Sequence, residues 1–456
     1  MKRTSILFIG AVLLWVGCRK DLLNEKPIST IVTPTTYEAF WSLLDNENVM
    51  DQSPMLSELS ADDYYFVSDY WNKRSVLERN AYIWAKDIYE GNGEVYDWNA
   101  PYAQVLNCNV VLKGLEQLSA DAGITLWKNT RGTALFKRCF AFFNLAQIFA
   151  PVYDSITANV ALGIPLRFEP DVTSTTVRST VEQTYQQIIT DLKSASKLLS
   201  QTIPDKYTNR PSRAAAFALL SRVYLSMRRY EDAGKYADSS LQLFGSLIDY
   251  NSVNAGAFLP FAVDSPENIY NAYFAAPTMS SILPVLGEAI IDSSLYASYE
   301  VSDLRKAIFF STGSGKIRRK NFYDGGVARL YTGLAVDEMV LNRAECNARL
   351  HYTEKAMDDM NWLMRNRYVN NLWPPPALST VEEVLKFILT ERRKELVMRG
   401  LRWIDLRRLN MEGAKIEPIR IINGNIHKLP PNSNLYTLPI PPDVISKTGI
   451  PQNIRD

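Results

Sequence analysis

From Arg131 to Ala150 the apolar residues Leu135, Phe136, Cys139, Phe142, Phe143, Ala146 and Phe149 recur every three or four positions, and this periodicity constrains the fold of the 456-residue chain more than any other feature. A stripe with that spacing lies along one face of an α-helix and must be buried against other elements. Pro151 ends it, because a proline ring cannot continue a helix. A second stripe runs from about Thr180 to Leu199 through Val181, Tyr185, Ile188, Ile189, Leu192, Ala195, Leu198 and Leu199, with Ser179 or Thr180 as N-cap.

Further on, Phe217, Leu220, Ser221 and Tyr224, then Tyr230, Ala233, Ala237 and Ser240, have the aromatic, leucine, small-residue spacing of a tetratricopeptide helix pair. Val340, Leu341, Ala344, Ala348, Ala356, Met360 and Leu363 repeat it more loosely. In a regular solenoid such copies follow at about 34 residues; here a long insertion separates them. The reading is a mostly α single domain with tetratricopeptide-like helix pairs near 212–243 and 337–367 and irregular loop and hairpin insertions near 51–99 and 245–333. Scaffolds of this kind carry their binding surfaces on the insertions.

The insertions differ from the scaffold in composition. The first holds Tyr64, Tyr65, Phe66, Tyr70, Trp71, Tyr82, Trp84, Tyr89, Tyr96 and Trp98, many beside Asp, Asn or Gly. In the second, Ile269 to Phe274 reads as one strand, Gly313-Ser314-Gly315 as a turn, and Phe322-Tyr323 precede Gly325-Gly326. Ile419 to Ile422 and Asn425 to Leu429 flank Asn423-Gly424, which predicts a hairpin with a type I′ turn. Trp84, Trp98, Phe142 and Trp403 fall on helical patterns and read as core.

At the N-terminus, Lys2 and Arg3 precede an apolar run from Ile6 to Val16 that stops at Gly17-Cys18. A spanning helix needs roughly 20 apolar residues, so residues 1–17 read as a signal peptide, with Cys18 as the lipidation site of a lipoprotein. Trp15 stands where such signals usually carry an aliphatic residue. An ordinary secretory signal is the alternative, and both place the mature chain, residues 18–456, outside the cytoplasm. The charged Arg19-Lys20-Asp21 resembles the surface-export signal of Bacteroidetes lipoproteins.

A formal net charge of +1 gives no electrostatic reason to expect nucleic acid. Cys108, Cys139 and Cys346, an odd number inside helical patterns, read as small buried hydrophobes. His351 and His427 are isolated, so neither a zinc motif nor a catalytic triad can be assembled and no cofactor is expected; no metal motif is present, no loop has the ordered spacing of an EF-hand, and calcium on loop carboxylates stays open. Gly315-Lys316 lacks the upstream glycine of a phosphate loop, and the basic run Lys316 to Lys320 reads as a solvated hairpin or loop.

The most specific stretch is Glu391-Arg392-Arg393-Lys394-Glu395-Leu396-Val397-Met398-Arg399-Gly400-Leu401-Arg402-Trp403-Ile404-Asp405-Leu406-Arg407-Arg408. It resembles the C-terminal signature of the SusD/RagB family of nutrient-binding outer-membrane lipoproteins of Bacteroidetes. Gly163-Ile164-Pro165-Leu166, Asp191-Leu192, Leu438-Pro439-Ile440-Pro441 and Gln452-Asn453 match that family in order. Arg399 stands where the family usually has Glu, and Ile454-Arg455-Asp456 replaces its Pro-Gly-Tyr ending. Physically the signature reads as structural: Glu391 and Glu395 lie one helical turn apart, Arg392, Arg402 and Asp405 are available as partners, and Gly400 breaks the helix. Crowding by arginines argues against an acid and base pair there.

The resemblance implies a SusD-like right-handed helical scaffold. It also implies an outer-membrane, lipid-anchored, surface-exposed protein that captures an oligosaccharide, or in some members a peptide, and hands it unchanged to a TonB-dependent (SusC-like) transporter. Aromatic rings suit sugar capture because their flat apolar faces match pyranose C–H faces. The candidate ligand-binding residues are Tyr64, Tyr65, Tyr70 and Trp71 from the first insertion and Phe322 and Tyr323 from the second. A protein-interaction scaffold is a second reading. A glycan-cleaving enzyme, which would need opposed carboxylates beside the aromatics, is the least favoured; Asp62 and Asp63 read as hydroxyl acceptors or turn residues.

Overall fold

The computed structural model describes residues 34–456 apart from 92–94, 119–124, 172–174, 202–208, 258, 263–264, 275–280, 283–287, 321–322, 324 and 326–329, so the signal segment, Cys18 and Phe322 lie outside the described residues. The scaffold consists of helices α1 (Tyr96–Gln117), α2 (Thr125–Phe149), α3 (Val181–Leu198), α4 (Arg213–Ser226), α5 (Tyr230–Leu243), α6 (Val336–Arg349), α7 (Thr353–Arg365), α8 (Val381–Glu395) and α9 (Arg402–Asn410). From α1 to α7 each helix packs on the next, and α8 covers α6 and α7. The second insertion therefore separates the two helix pairs in sequence but not in space, because α5 lies directly on α6. Small residues permit the approach: Ala233, Ala237, Ala344 and Ala348 are fully buried, and a Cβ on Gly234 would meet Cβ of Cys346 at 3.0 Å.

Local sequence sets the helix starts. Thr180 caps α3 and forms a reciprocal capping box with Gln183, and Thr380 does the same with Glu383 on α8. Helix α2 begins earlier than its stripe suggested and is buried on nearly every side from Thr130 to Phe149, rather than along one broad face. The reason is that α1 and α3 flank it while Tyr270 packs edge-on against Phe136 and Phe140. Its two interior cations are paired, Lys137 with Asp51 at 2.7 Å and Arg138 with Asp191 at 2.7 Å. Cys108, Cys139 and Cys346 are free and buried, as the helical pattern implies.

The insertions are joined by two-stranded sheets. Strand β1 (Gln52–Ser53) pairs in parallel with β6 (Tyr273–Phe274), and β2 (Tyr64–Tyr65) pairs antiparallel with β7 (Ile290–Ile291). The single strand expected at Ile269 to Phe274 is two, since β5 (Asn268–Tyr270) pairs instead with β10 (Leu334–Ala335). Strands β3 (Leu162–Pro165) and β4 (Arg178–Thr180) pair, as do β8 (Phe310–Ser311) and β9 (Arg318–Arg319). The last of these puts the basic run in a hairpin, as its sequence suggested, but not a wholly solvated one. Arg319 is buried, and its guanidinium lies 4.2 Å from the Phe309 ring centroid. Strands β11 (Ile419–Ile422) and β12 (Asn425–Lys428) form the expected hairpin, with φ of 51° at Asn423 and 80° at Gly424.

Trp84, Trp98, Phe142 and Trp403 are all buried. Trp84, however, is not helical. It follows the short helix Val76–Tyr82 with φ of 58°, its indole donating to the Ser60 carbonyl at 2.9 Å.

The signature stretch is a buried charge network, in which Arg392 and Asp405 pair within the stretch while Glu391 and Glu395 also take partners from outside it. Arg305 bonds Asp303 at 2.8 and 2.7 Å, Glu391 at 2.6 Å and Glu395 at 3.0 Å. Arg367 joins Glu395 at 2.8 Å to Glu267 at 2.7 Å. Arg392 and Arg408 both bond Asp405, and Arg408 also holds Glu345. Burial opposes ionisation of Glu395, but Arg367 and Arg305 outweigh it and hold its carboxyl below the usual range. Gly400, at φ of 77°, makes the turn into α9. Gln452 and Asn453 fasten the tail, Gln452 bonding both the amide and the carbonyl of Ile440 and Asn453 reaching the carbonyls of Phe149 and Leu438.

Candidate functional site

Strand alternation settles the orientation of the first two candidates. Tyr64 turns inward: its hydroxyl donates to the Leu59 carbonyl at 2.9 Å and its ring packs on Phe66 at 5.2 Å, so it offers no face at the surface. Tyr65 turns outward, 40 % exposed, opposite Ile290 on the neighbouring strand.

Tyr70 and Trp71 end the short helix Ser68–Trp71 and are half-buried. Tyr70 rests on Phe66, with the Arg74 guanidinium 4.2 Å from its ring centroid, and burial raises the pKa of its hydroxyl. Trp71 donates its indole N–H to the Arg79 carbonyl at 3.1 Å, which fixes the ring plane.

Tyr323 is interior rather than at the surface. It is 2 % exposed, packed on Phe261 and Tyr331, beneath Arg399 at 4.1 Å, and its hydroxyl donates to Glu267. The second insertion reaches the site by other residues. Glu288 stands beside Tyr70 and pairs with Arg318 and, at 3.8 Å, with Lys316. The β11–β12 hairpin closes a third side: the Asn423 amide N–H donates to the Ser68 hydroxyl at 2.8 Å, and the Asn423 and Asn72 side chains exchange hydrogen bonds of 3.2 and 3.0 Å.

Three segments remote in sequence thus meet around Tyr65, Tyr70 and Trp71, with Arg74 and Glu288 as polar neighbours that sequence reasoning missed. The Asn-Gly turn was visible, but nothing in the sequence said where the hairpin docks. Asp62 and Asp63 are not free hydroxyl acceptors, because Arg402 and Arg393 occupy them. Burial alone would raise the Asp62 carboxyl, yet Arg402 and Arg393 hold it well below the ordinary range. Among the described residues, no group of three His, Cys, Asp or Glu is placed to hold a metal ion.

A stacked-helix scaffold whose insertions join to present aromatic and charged side chains is the architecture of a binding protein. A family profile described as SusD-like, starch-binding and associating with the outer membrane matches residues 24–225, and the SusD family profile matches residues 337–453. Together they span well over half of the chain, which belongs to the SusD/RagB family. The chain is 24 % identical to the SusD-like protein P2 of Formosa agariphila over 99 % of both chains. Its fold is similar to that of a SusD superfamily protein from Bacteroides thetaiotaomicron (TM-score 0.73, 21 % identity, 92 % of this chain and 100 % of that one). It is also similar to that of a laminarin-binding SusD-like protein (TM-score 0.66, 18 % identity, 92 % and 99 %). Members of this family bind carbohydrate and are associated with the outer membrane. No helix among the described residues is long and apolar enough to cross a membrane.

Proposed function

We propose that the protein, anchored through a lipid on Cys18, captures an oligosaccharide at the cell surface and passes it unchanged to a TonB-dependent outer-membrane transporter. The observation that carries this reading is the convergence of both insertions and the hairpin around Tyr65, Tyr70 and Trp71 in a chain of a carbohydrate-binding family. Tyr65 offers an open ring face, and Arg74 and Glu288, next to Tyr70, supply donors and acceptors for hydroxyls. Engagement of Asp62 and Asp63 by arginines leaves neither as a free acid or base, which supports binding without cleavage.

Binding of the full-length protein, in a detergent without a sugar headgroup, to immobilised laminarin, starch, host glycans and a peptide mixture tests the reading. Retention of one glycan class that weakens in Tyr65→Ala supports it. Retention of peptides alone would replace the ligand, and silence on every surface would remove the function. Affinity purification from outer membranes should bring down a large barrel protein; its absence would count against the transporter.

A further inference from the structure

We propose that the cleft between α1 and the C-terminal helix Pro442–Thr448 is a second carbohydrate pocket, one that takes a single neutral hexose unit. The proposal rests on the glycan-binding reading but uses none of its residues. The cleft has a volume of about 530 Å³, within the range of small-molecule sites.

Its aromatic wall is Tyr102, half-buried and braced by the Trp98 ring at 5.0 Å, with its hydroxyl committed to the Pro165 carbonyl at 2.9 Å. The ring is thus held in one plane, as stacking on a sugar requires. Asn99 stands exposed at the rim with both a donor and an acceptor.

Asp443 supplies the sharpest observation. Asp443 lines the cleft; one carboxylate oxygen takes Lys447 at 3.2 Å, while Oδ1 is shielded from water and has no hydrogen-bond partner among the described residues. A buried carboxylate oxygen left unpaired is costly, and a hydroxyl from an occupant satisfies it. The charges at the cleft balance, with Arg167, Lys447 and the nearby Lys113 against Glu169, Asp171 and Asp443, so no net field selects an ion. An aromatic wall, an acceptor short of a donor and an amide at the rim fit a neutral polyol.

Saturation-transfer NMR on the full-length protein, with D-glucose, D-galactose and D-mannose offered one at a time, tests this. At least one hexose should bind. Asp443→Ala should weaken it about tenfold or more, the loss expected for a charged hydrogen-bond partner. Ala103→Trp should abolish it, since Ala103 is exposed on the cleft wall and an indole there fills the space without entering the core. Tyr65→Ala should leave it unchanged. Binding by no hexose, or binding that survives both cleft variants, would overturn the proposal. Polysaccharide binding lost in Tyr65→Ala with no hexose bound would sink the cleft alone; hexose binding lost in Ala103→Trp with no polysaccharide dependent on Tyr65 would sink the insertion site alone.

Discussion

The carboxylate of Asp62 accepts from both Nε and Nη2 of Arg402, at 2.6 and 2.9 Å, across 340 residues of sequence. Beside it Arg393 donates to the Asp63 carboxylate and the Asp62 carbonyl, both at 2.9 Å. The signature segment therefore grips the chain immediately before β2, the strand that turns Tyr64 inward and Tyr65 outward. Replacing Asp62 by Ala leaves Arg402, whose side chain is only 10 % exposed, with Asp63 at 3.8 Å as its remaining ion-pair partner, and should cost about 2 kcal/mol. Urea denaturation should show a lower midpoint at constant slope, with weaker glycan binding as Tyr65 loses its support. An unmoved midpoint would mean that the pair behaves as a surface contact.

Arg305 is fully buried among three carboxylates. Arg305→Met leaves Asp303, Glu391 and Glu395 facing one another with only Lys394 and Arg367 as cations, so the loss should exceed about 4 kcal/mol and leave little folded protein. The same contacts give the fold an acid limit. Because the folded Glu395 carboxyl lies below its ordinary value, its contribution is present above the usual carboxylate range and is lost as pH falls through the depressed folded value. Thermal melts at descending pH should show this loss.

Glu58 has the opposite sign. It is fully buried beneath the Gly400 amide, which donates to it at 2.9 Å, and burial, reinforced by Asp63, pushes its carboxyl up to about 8. Between the ordinary value and about 8 the unfolded chain is ionised there while the folded one keeps its proton, so this group lowers stability as pH rises through that window, by up to about 5 kcal/mol. Glu58→Gln, which mimics the protonated form, should flatten the fall in stability between pH 5 and pH 8. Identical pH profiles for parent and variant would show that Glu58 ionises freely.

How far the fold could be read from the sequence follows from the range of the forces involved. The α3 cap at Thr180, the hairpin at Asn423-Gly424 and both helix pairs were legible because each is set by residues within one or two turns. Arg305 and Arg367, which hold Glu391 and Glu395, were not: they come from 86 and 28 residues away, whereas of the nearer cations Lys394 reaches Glu391. The same limit holds at the site. Aromatic content marked the insertions, but the inward or outward sense of Tyr64 and Tyr65 depends on the pairing of β2 with β7, a strand more than 200 residues away. Tyr323 looks like Tyr65 in sequence and is interior because Glu267 and Arg399 surround it.

That inward and outward alternation makes the ligand site testable with adjacent substitutions. Tyr65→Ala removes an exposed ring opposite Ile290 and disturbs no hydrogen bond of the core, so stability should change by less than about 0.5 kcal/mol. Glycan binding, by contrast, should weaken by about 1 to 3 kcal/mol, the range for losing an aromatic anchor. Tyr64→Phe keeps the buried ring and deletes only the hydroxyl that donates to Leu59, so it should cost about 1 kcal/mol of stability and leave binding intact. Calorimetric titration and denaturant melts on the two variants give four numbers. If the binding loss falls on Tyr64→Phe and not on Tyr65→Ala, β2 does not present Tyr65 to the ligand, and the site belongs elsewhere on the protein.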